Sequence, residues 1–246
     1  MREYQADLLK QRQSIISNKG LCSYFEFLYS LVSSELGDLE AILEVGAGAG
    51  ISNLFLKNRI LRTDFLAFPK FAVTGDCPME QLPFSDASFE VVLAIDCIHH
   101  STHPLKALAE FLRVLDNGGK IIIIEPYVSL LSYLPYRLFH HEKTNWNFKG
   151  NLFGEVALIV QNPAIGNQGV SRFLIECLQH KAHELLPNIK TRIHYFSAIS
   201  FFATGAVSRS FCTPPYIIKS IIAWETRFSQ SIMKFLASRV LIVIEK

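Results

Sequence analysis

The sequence lacks a marked excess of either charge, and this absence argues against one class of partner. Its 246 residues carry 24 Lys and Arg against 22 Asp and Glu, which gives a formal net charge of +2. Proteins that bind nucleic acid usually present a strong basic field. We therefore expect no nucleic-acid partner.

Clustered cysteines and long uncharged runs are also missing. The five cysteines are scattered without a C-x-x-C pair, so neither a disulfide framework nor a metal site is expected. The polar start, Met1–Asp7, does not resemble a signal peptide, and the longest uncharged stretch, Tyr195–Ser208, is too short to span a membrane. We expect a cytoplasmic protein without a transmembrane segment.

Short apolar runs that alternate with helical stretches are the main pattern that is present. Runs of this kind, rich in β-branched residues and not alternating with polar ones, are typical of strands buried on both faces of a parallel sheet. An amphipathic helix is predicted over Pro104–Leu115, with Asn117–Gly119 as its C-cap and turn. The runs are Ala41–Val45, Ile60–Asp64, Ala72–Thr74, Val91–Ile95 and Lys120–Glu125.

Flanking segments complete a single expected domain over residues 1–246, because no linker divides the chain. Residues 1–38 have helical spacing and are expected to form a cap. The aromatic and polar stretch Tyr127–Val170 interrupts the alternation and is predicted to be an inserted lid. Beyond it we predict helices over Phe173–Leu186 and Tyr216–Leu236, and strands over Lys190–Phe196 and Val240–Ile244.

The first strand ends in a glycine-rich turn, Leu43–Gly50, in which Gly46, Gly48 and Gly50 alternate with other residues, and we expect a helix to follow it. Glycine lets a backbone turn sharply and approach a ligand closely. Asp64 follows Glu44 by 20 residues at the end of the second strand, where a carboxylate can accept both ribose hydroxyls of an adenosine. The alternative is a purely structural turn and a solvated strand end.

Five motifs in order resemble those of the class I S-adenosylmethionine-dependent methyltransferases, most closely the ubiquinone and menaquinone biosynthesis branch. The resemblance covers Ala41–Pro126. It implies a Rossmann-like α/β fold, in which a seven-stranded, mostly parallel sheet has helices on both faces and an antiparallel last strand, here with an inserted lid. The motifs are Leu43–Gly50, Gly75-Asp76, Gln81–Glu90, Ile98–His100 and Arg113–Gly119.

The resemblance also implies a cofactor, S-adenosylmethionine, and a role for individual residues. The glycine turn and Glu44 would line its methionine end, Asp64 would hold the ribose, Asp76 would bind the adenine amine, and Asp96 with Cys97 would lie beside the sulfonium. Two extra residues, Pro78-Met79, and a short crossover over Phe65–Ala72 depart from the family pattern. The full candidate set is Glu44, Gly46, Ala47, Gly48, Gly50, Asp64, Phe65, Asp76, Cys77, Asp96 and Cys97.

The acceptor side is marked only by histidines and apolar residues. His99, His100 and His141 are candidate proton acceptors, since a neutral imidazole can take a proton from a hydroxyl during methyl transfer. Packing under the lid, helix capping or a solvated turn are the alternatives. The apolar segment Tyr216–Trp224 is either a core helix or a contact for a lipid-linked acceptor or membrane surface.

These features favour a methyltransferase acting on a small, hydrophobic molecule. A catalytically silent nucleoside-binding module of the same fold is one alternative. A nicotinamide-dependent oxidoreductase is another, disfavoured because the dinucleotide motif G-x-G-x-x-G requires glycine where Ile51 stands.

Overall fold

A seven-stranded sheet organises the chain in the computed structural model, which describes residues 2–139, 166–185, 189–206 and 212–246. Its spatial order is β3-β2-β1-β4-β5-β7-β6, and β7 runs antiparallel to both of its neighbours while the other pairs are parallel. This confirms the predicted fold class. The strands are β1 (Ile42–Val45), β2 (Ile60–Thr63), β3 (Val73–Thr74), β4 (Phe89–Ile95), β5 (Leu115–Pro126), β6 (Lys190–Phe196) and β7 (Arg239–Glu245).

Helices cover both faces of the sheet. Along β5, Ile121 and Ile123 pack in a cluster with α3 and α5, whereas Ile122 and Ile124 pack in a second cluster with α2 and α7. Because successive side chains of a strand point to opposite faces, a run of apolar residues fills both layers. The helices are α1 (Arg2–Ser17), α2 (Lys19–Leu36), α3 (Pro104–Val114), α4 (Tyr133–Phe139), α5 (Val170–Leu185), α6 (Ser200–Ala203), α7 (Pro215–Glu225) and α8 (Gln230–Leu236).

Three local predictions are wrong. The end of α3 is capped by Leu115, and Asn117–Gly119 lie inside β5, where a Cβ on Gly119 would approach the Glu90 carbonyl oxygen to 2.7 Å. Tyr216–Leu236 forms two helices instead of one, since the backbone becomes extended at Ser229. The glycine turn leads into a single 3-10 turn, Ile51–Leu54, and not into a longer helix.

The crossover from β2 to β3 is as short as the sequence indicated. Its helical part is one 3-10 turn, Pro69–Phe71. Among the described residues, none of the helices combines the length and the apolar character needed to cross a membrane.

Candidate cofactor and acceptor site

All three glycines of the turn have left-handed backbone conformations, with φ of 67° at Gly46, 53° at Gly48 and 64° at Gly50. Other residues adopt this region at a cost of about 1–2 kcal/mol. Gly46 is further restricted by Cys97, because a Cβ at position 46 would lie 2.3 Å from the Cβ of Cys97. The turn therefore packs directly against the loop that follows β4.

Asp64 joins the turn to the end of β2. Its carboxylate accepts hydrogen bonds from the backbone N–H of Gly48 at 2.8 Å and of Leu66 at 2.9 Å. The side chain is largely buried, and this burial raises the pKa of the carboxyl group. Ala47 adds a second link, since its N–H donates to the Thr63 carbonyl oxygen at 2.9 Å.

Glu44 lies in the interior beneath the turn. Its carboxylate accepts a hydrogen bond from the Ser52 hydroxyl and lies 3.3 Å from Nε of Arg62 on β2. Burial is the main reason that the pKa of Glu44 is raised to about 7. The candidate contact with the methionine end of a cofactor is thus a residue already engaged by two protein partners, and the sequence analysis missed Arg62.

The other candidates on the first half of the sheet lie around Asp64. Phe65 is 63% exposed, and its carbonyl oxygen accepts from the N–H of Asp76, an exposed residue with φ of 56°. Cys77 is buried, and its N–H donates to the Asp64 carbonyl oxygen at 3.2 Å. The ends of β2 and β3 therefore bring these four candidate residues together.

His99 is held by a residue that the sequence analysis missed, Glu125 near the end of β5. The Nδ1 atom of His99 lies 2.5 Å from Oε2 of Glu125, and both side chains are buried. The other carboxylate oxygen accepts from the backbone N–H groups of Cys97 and Ile98 at 3.0 and 2.7 Å. The His100 ring lies 4.2 Å from the His99 ring. Glu125 thereby fixes both the imidazole and the loop beside Gly46.

Asp96 pairs with a second missed residue, Arg239 at the start of β7. Its Oδ2 lies 2.5 Å from Nη2 of Arg239, whose guanidinium lies 5.2 Å from the ring centre of Phe201. Arg239 is buried, and within the described ranges neither Asp96 Oδ1 nor Arg239 Nε has a hydrogen-bond partner. Asp96 and Cys97 are adjacent in sequence, but Asp96 forms an ion pair with Arg239 on β7, whereas Cys97 packs against Gly46 of the glycine turn.

Much of the predicted lid lies outside the described residues, including His141 and Trp146. Its first residues pack into the core, since Tyr127 is buried and the Tyr136 hydroxyl donates to the Ser238 carbonyl oxygen at 2.7 Å. At the other end of the lid, Gly166 contacts the His99 ring so closely that a Cβ would lie 2.4 Å from Cδ2. The predicted lid segment therefore contacts the candidate histidine near its C-terminal end.

Helix α7 carries the segment Tyr216–Trp224 and buries only one of its faces. Ile218 and Ile222 are buried in the core, whereas Tyr216 is 70% and Trp224 50% exposed. One face stabilises the fold and the other presents aromatic side chains to the surroundings. Within the described residues, His, Cys, Asp and Glu side chains form no group of three or more that could hold a metal ion.

Comparison with known proteins finds a family match for the central part of the chain. Residues 43–123, which run from β1 to β5, match the methyltransferase domain family. This match covers about a third of the chain and marks the segment as similar to methyltransferase domains. The resemblance found in the sequence motifs is thereby confirmed.

The chain is also similar to enzymes of quinone biosynthesis. The chain is 40% identical over 52 residues to a ubiquinone/menaquinone biosynthesis C-methyltransferase of Ralstonia pickettii, a stretch that covers 21% of each chain. It is 34% identical over 100 residues to a demethylmenaquinone methyltransferase of Clavibacter sepedonicus, which covers 35% of this chain and 41% of the relative. The matches thus span about a fifth to two fifths of these relatives.

The fold similarity extends beyond the matched segment. A solved S-adenosylmethionine-dependent methyltransferase of Thermotoga maritima aligns over 100% of this chain and 95% of its own, with a TM-score of 0.54 and 19% identity. The similarity of fold therefore includes residues on both sides of the matched segment.

Proposed function

We propose that the protein is an S-adenosylmethionine-dependent methyltransferase that transfers a methyl group to a small, hydrophobic acceptor. The observation that carries the proposal is the turn itself. Gly46, Gly48 and Gly50 are all left-handed, and Asp64 binds the turn at Gly48. Glycines in this position leave the backbone open to a ligand, and a carboxylate at the end of β2 suits a ribose.

The residues around the turn fit this cofactor in its usual orientation. We propose that Gly46, Ala47 and Gly48 contact its methionine end, that Asp64 accepts from the ribose, and that Phe65 and Asp76, both exposed, contact the adenine. The remaining candidates lie underneath or behind this surface: Glu44 stabilises the turn from below, Gly50 allows its last bend, and Cys77, Asp96 and Cys97 shape its walls. When bound, S-adenosylmethionine supplies an activated methyl group.

A proton acceptor near the methyl acceptor is proposed among the histidines. Glu125 contacts Nδ1 of His99, and a carboxylate there favours the tautomer with the proton on Nδ1, so that Nε2 has the basic character. This supports His99 more than His100 as the base. His141 remains a third candidate, outside the described residues.

Exposed apolar side chains support a hydrophobic, lipid-like acceptor and contact with a membrane surface. Leu130, Leu134 and Leu138 are exposed on and before α4, and Phe235 is exposed on α8. The two groups adjoin, because the Leu131 N–H donates to the Phe235 carbonyl oxygen. Peripheral binding to the cytoplasmic face of a membrane is consistent with such a surface.

Titration calorimetry with S-adenosylhomocysteine, S-adenosylmethionine and NAD tests which cofactor the protein binds. The two sulfur nucleosides should bind, and Asp64→Ala should weaken binding about tenfold or more, because a lost hydrogen bond to a charged group is worth about 1.5–3 kcal/mol. The matched control is Asp38→Ala. Asp38 is exposed and precedes β1, at the opposite end of the strand from the glycine turn. Binding of NAD without binding of the two nucleosides would refute the proposal.

The acceptor requires a screen of hydrophobic phenols and polyprenyl compounds for methyl incorporation. With a hydroxyl acceptor in hand, alanine at the true base among His99, His100 and His141 should lower turnover by roughly 10²–10⁴-fold, with cofactor affinity nearly unchanged. Full activity of all three variants would mean that proximity suffices without a base. A charged sugar nucleotide as the accepted substrate would contradict the hydrophobic site, and nucleoside binding without turnover would indicate a silent module.

A further inference from the structure

Helix α1 lies against the glycine turn, although it is far from the turn in sequence. The Nη1 atom of Arg12 donates to the carbonyl oxygens of Ala49 at 3.0 Å and Gly50 at 2.5 Å. Leu8 reaches the preceding glycine, since a Cβ on Gly48 would lie 3.6 Å from Cδ2 of Leu8. Leu8, Arg12 and Ile15 share one face of the helix, at spacings of four and three residues. The side of α1 that meets the domain is therefore the side that meets the turn.

Arg12 also contacts the aromatic ring of Phe71, a residue that packs against the end of the turn. Its guanidinium carbon lies 4.2 Å from the ring centre of Phe71. On the other side, a Cβ on Gly50 would come within 3.0 Å of the Phe71 Cβ, and Asn53 Nδ2 donates to the Phe71 carbonyl oxygen at 2.6 Å. Phe71 is thus held between Arg12 and Gly50, and the last two residues of the turn are fixed from two directions.

The contacts from Arg12 matter because the turn is followed by little regular structure of its own. A long helix after a glycine turn would hold the turn rigidly through successive backbone hydrogen bonds, but here only the 3-10 turn Ile51–Leu54 follows. The Gly50 carbonyl oxygen accepts from Asn53 N–H at 3.2 Å, a single backbone bond. A charged guanidinium gives stronger hydrogen bonds than a neutral donor and can stack on a ring at the same time.

We propose that Arg12 is a positioning residue for cofactor binding, which holds Ala49 and Gly50 in the conformation that the ligand requires. The proposal rests on the proposed function, because it assumes that the turn binds the cofactor. It adds a residue outside the matched segment 43–123. Arg12 acts through the turn and does not touch the cofactor's amino-acid part.

The experiment compares two ligands in four proteins. Dissociation constants for S-adenosylhomocysteine and for 5′-methylthioadenosine, which lacks the amino-acid part, are measured by calorimetry in the wild type, Arg12→Ala, Arg12→Lys and Lys10→Ala. Arg12→Ala should weaken both ligands by a similar factor, about tenfold, because the turn itself is perturbed. Arg12→Lys should restore part of the loss, since lysine retains the charge without the planar stack. Lys10 is exposed on the same helix and pairs locally with Asp7, so Lys10→Ala should match the wild type.

A second readout separates positioning from general stability. In the wild type, S-adenosylhomocysteine should slow hydrogen exchange of the amides of α1, and this protection should shrink in Arg12→Ala at saturating ligand. Unchanged affinities in Arg12→Ala would overturn the proposal. A loss confined to S-adenosylhomocysteine would also overturn it, because that pattern indicates direct pairing with the ligand carboxylate. If the wild type binds neither nucleoside, the proposed function fails first, and the proposal fails with it.

Discussion

Replacement of Gly48 by alanine separates the two reasons for which a turn can need glycine. The backbone there has φ of 53°, and the one described atom that a Cβ would meet is Leu8 Cδ2, at an ordinary contact distance of 3.6 Å. The protein therefore has room for the methyl group, and its cost to folding is that of a left-handed alanine, about 1–2 kcal/mol. In a domain of this size, that cost lowers the melting temperature by roughly 2–8 °C.

The effect on the ligand should be larger than the effect on folding. The new methyl group would stand on the turn where the backbone meets the cofactor, so Gly48→Ala should weaken S-adenosylhomocysteine binding by about tenfold or more. The control is Gly118→Ala. Gly118 also has a positive φ, 81°, and a Cβ there would have no neighbour within 4 Å among the residues that the structure describes. This variant carries a similar backbone cost at a position remote from the turn.

Thermal unfolding and calorimetry on the two variants give a clear test. Both should melt at lower temperature than the wild type, and only Gly48→Ala should lose ligand affinity. Equal affinities for the two variants would show that the glycine serves the fold of the turn and not its ligand. A similar loss in both would show that the binding defect follows from general destabilisation.

Three further predictions concern buried charged groups. Burial raises the pKa of Glu44 from 4.5 to about 7. Between these pH values the folded state retains a proton that the unfolded state has lost, so the free energy of unfolding should fall as the pH rises from about 4.5 to about 7. Glu44→Gln should remove roughly 3 kcal/mol of that pH dependence in urea titrations. Asp96→Ala should cost about 3–5 kcal/mol by leaving Arg239 buried without its partner, and adding Arg239→Met should recover part of it. Glu125→Gln retains an acceptor for the backbone N–H groups but loses the charge beside His99, and should lower turnover about tenfold without changing cofactor affinity.

The strands were predictable because their burial restricts the sequence. Val91–Ala94 and Ile121–Ile124 are almost fully buried, and runs of this kind suit a strand covered on both faces. The position of Asp64 beside the glycine turn was predictable for a related reason, since neighbouring parallel strands end at the same edge of a sheet. The contact between Asp64 and Gly48 follows from that edge once β1 and β2 are adjacent.

The partners of the buried charges could not be predicted in the same way. Glu125 and His99 are 26 residues apart, and Asp96 and Arg239 are 143 residues apart. Their pairing depends on the order of the strands, above all on the insertion of β7 between β5 and β6. The short 3-10 turn after Gly50 had a local signal, because the nine residues 51–59 leave little room for a helix before β2.

The distribution of these partners bears on where specificity resides. The matched segment, residues 43–123, contains the turn and Asp64, but Arg12 holds the turn from before it, and Glu125 and Arg239 fix its β4 loop from after it. His99, the favoured base, is oriented by Glu125 and covered by Gly166. On the proposed assignment, the matched segment 43–123 therefore encodes the cofactor surface, whereas residues outside it build much of the environment of the acceptor. Acceptor identity should accordingly be sought by changing the flanks, since substitutions in the shared segment alter cofactor binding first.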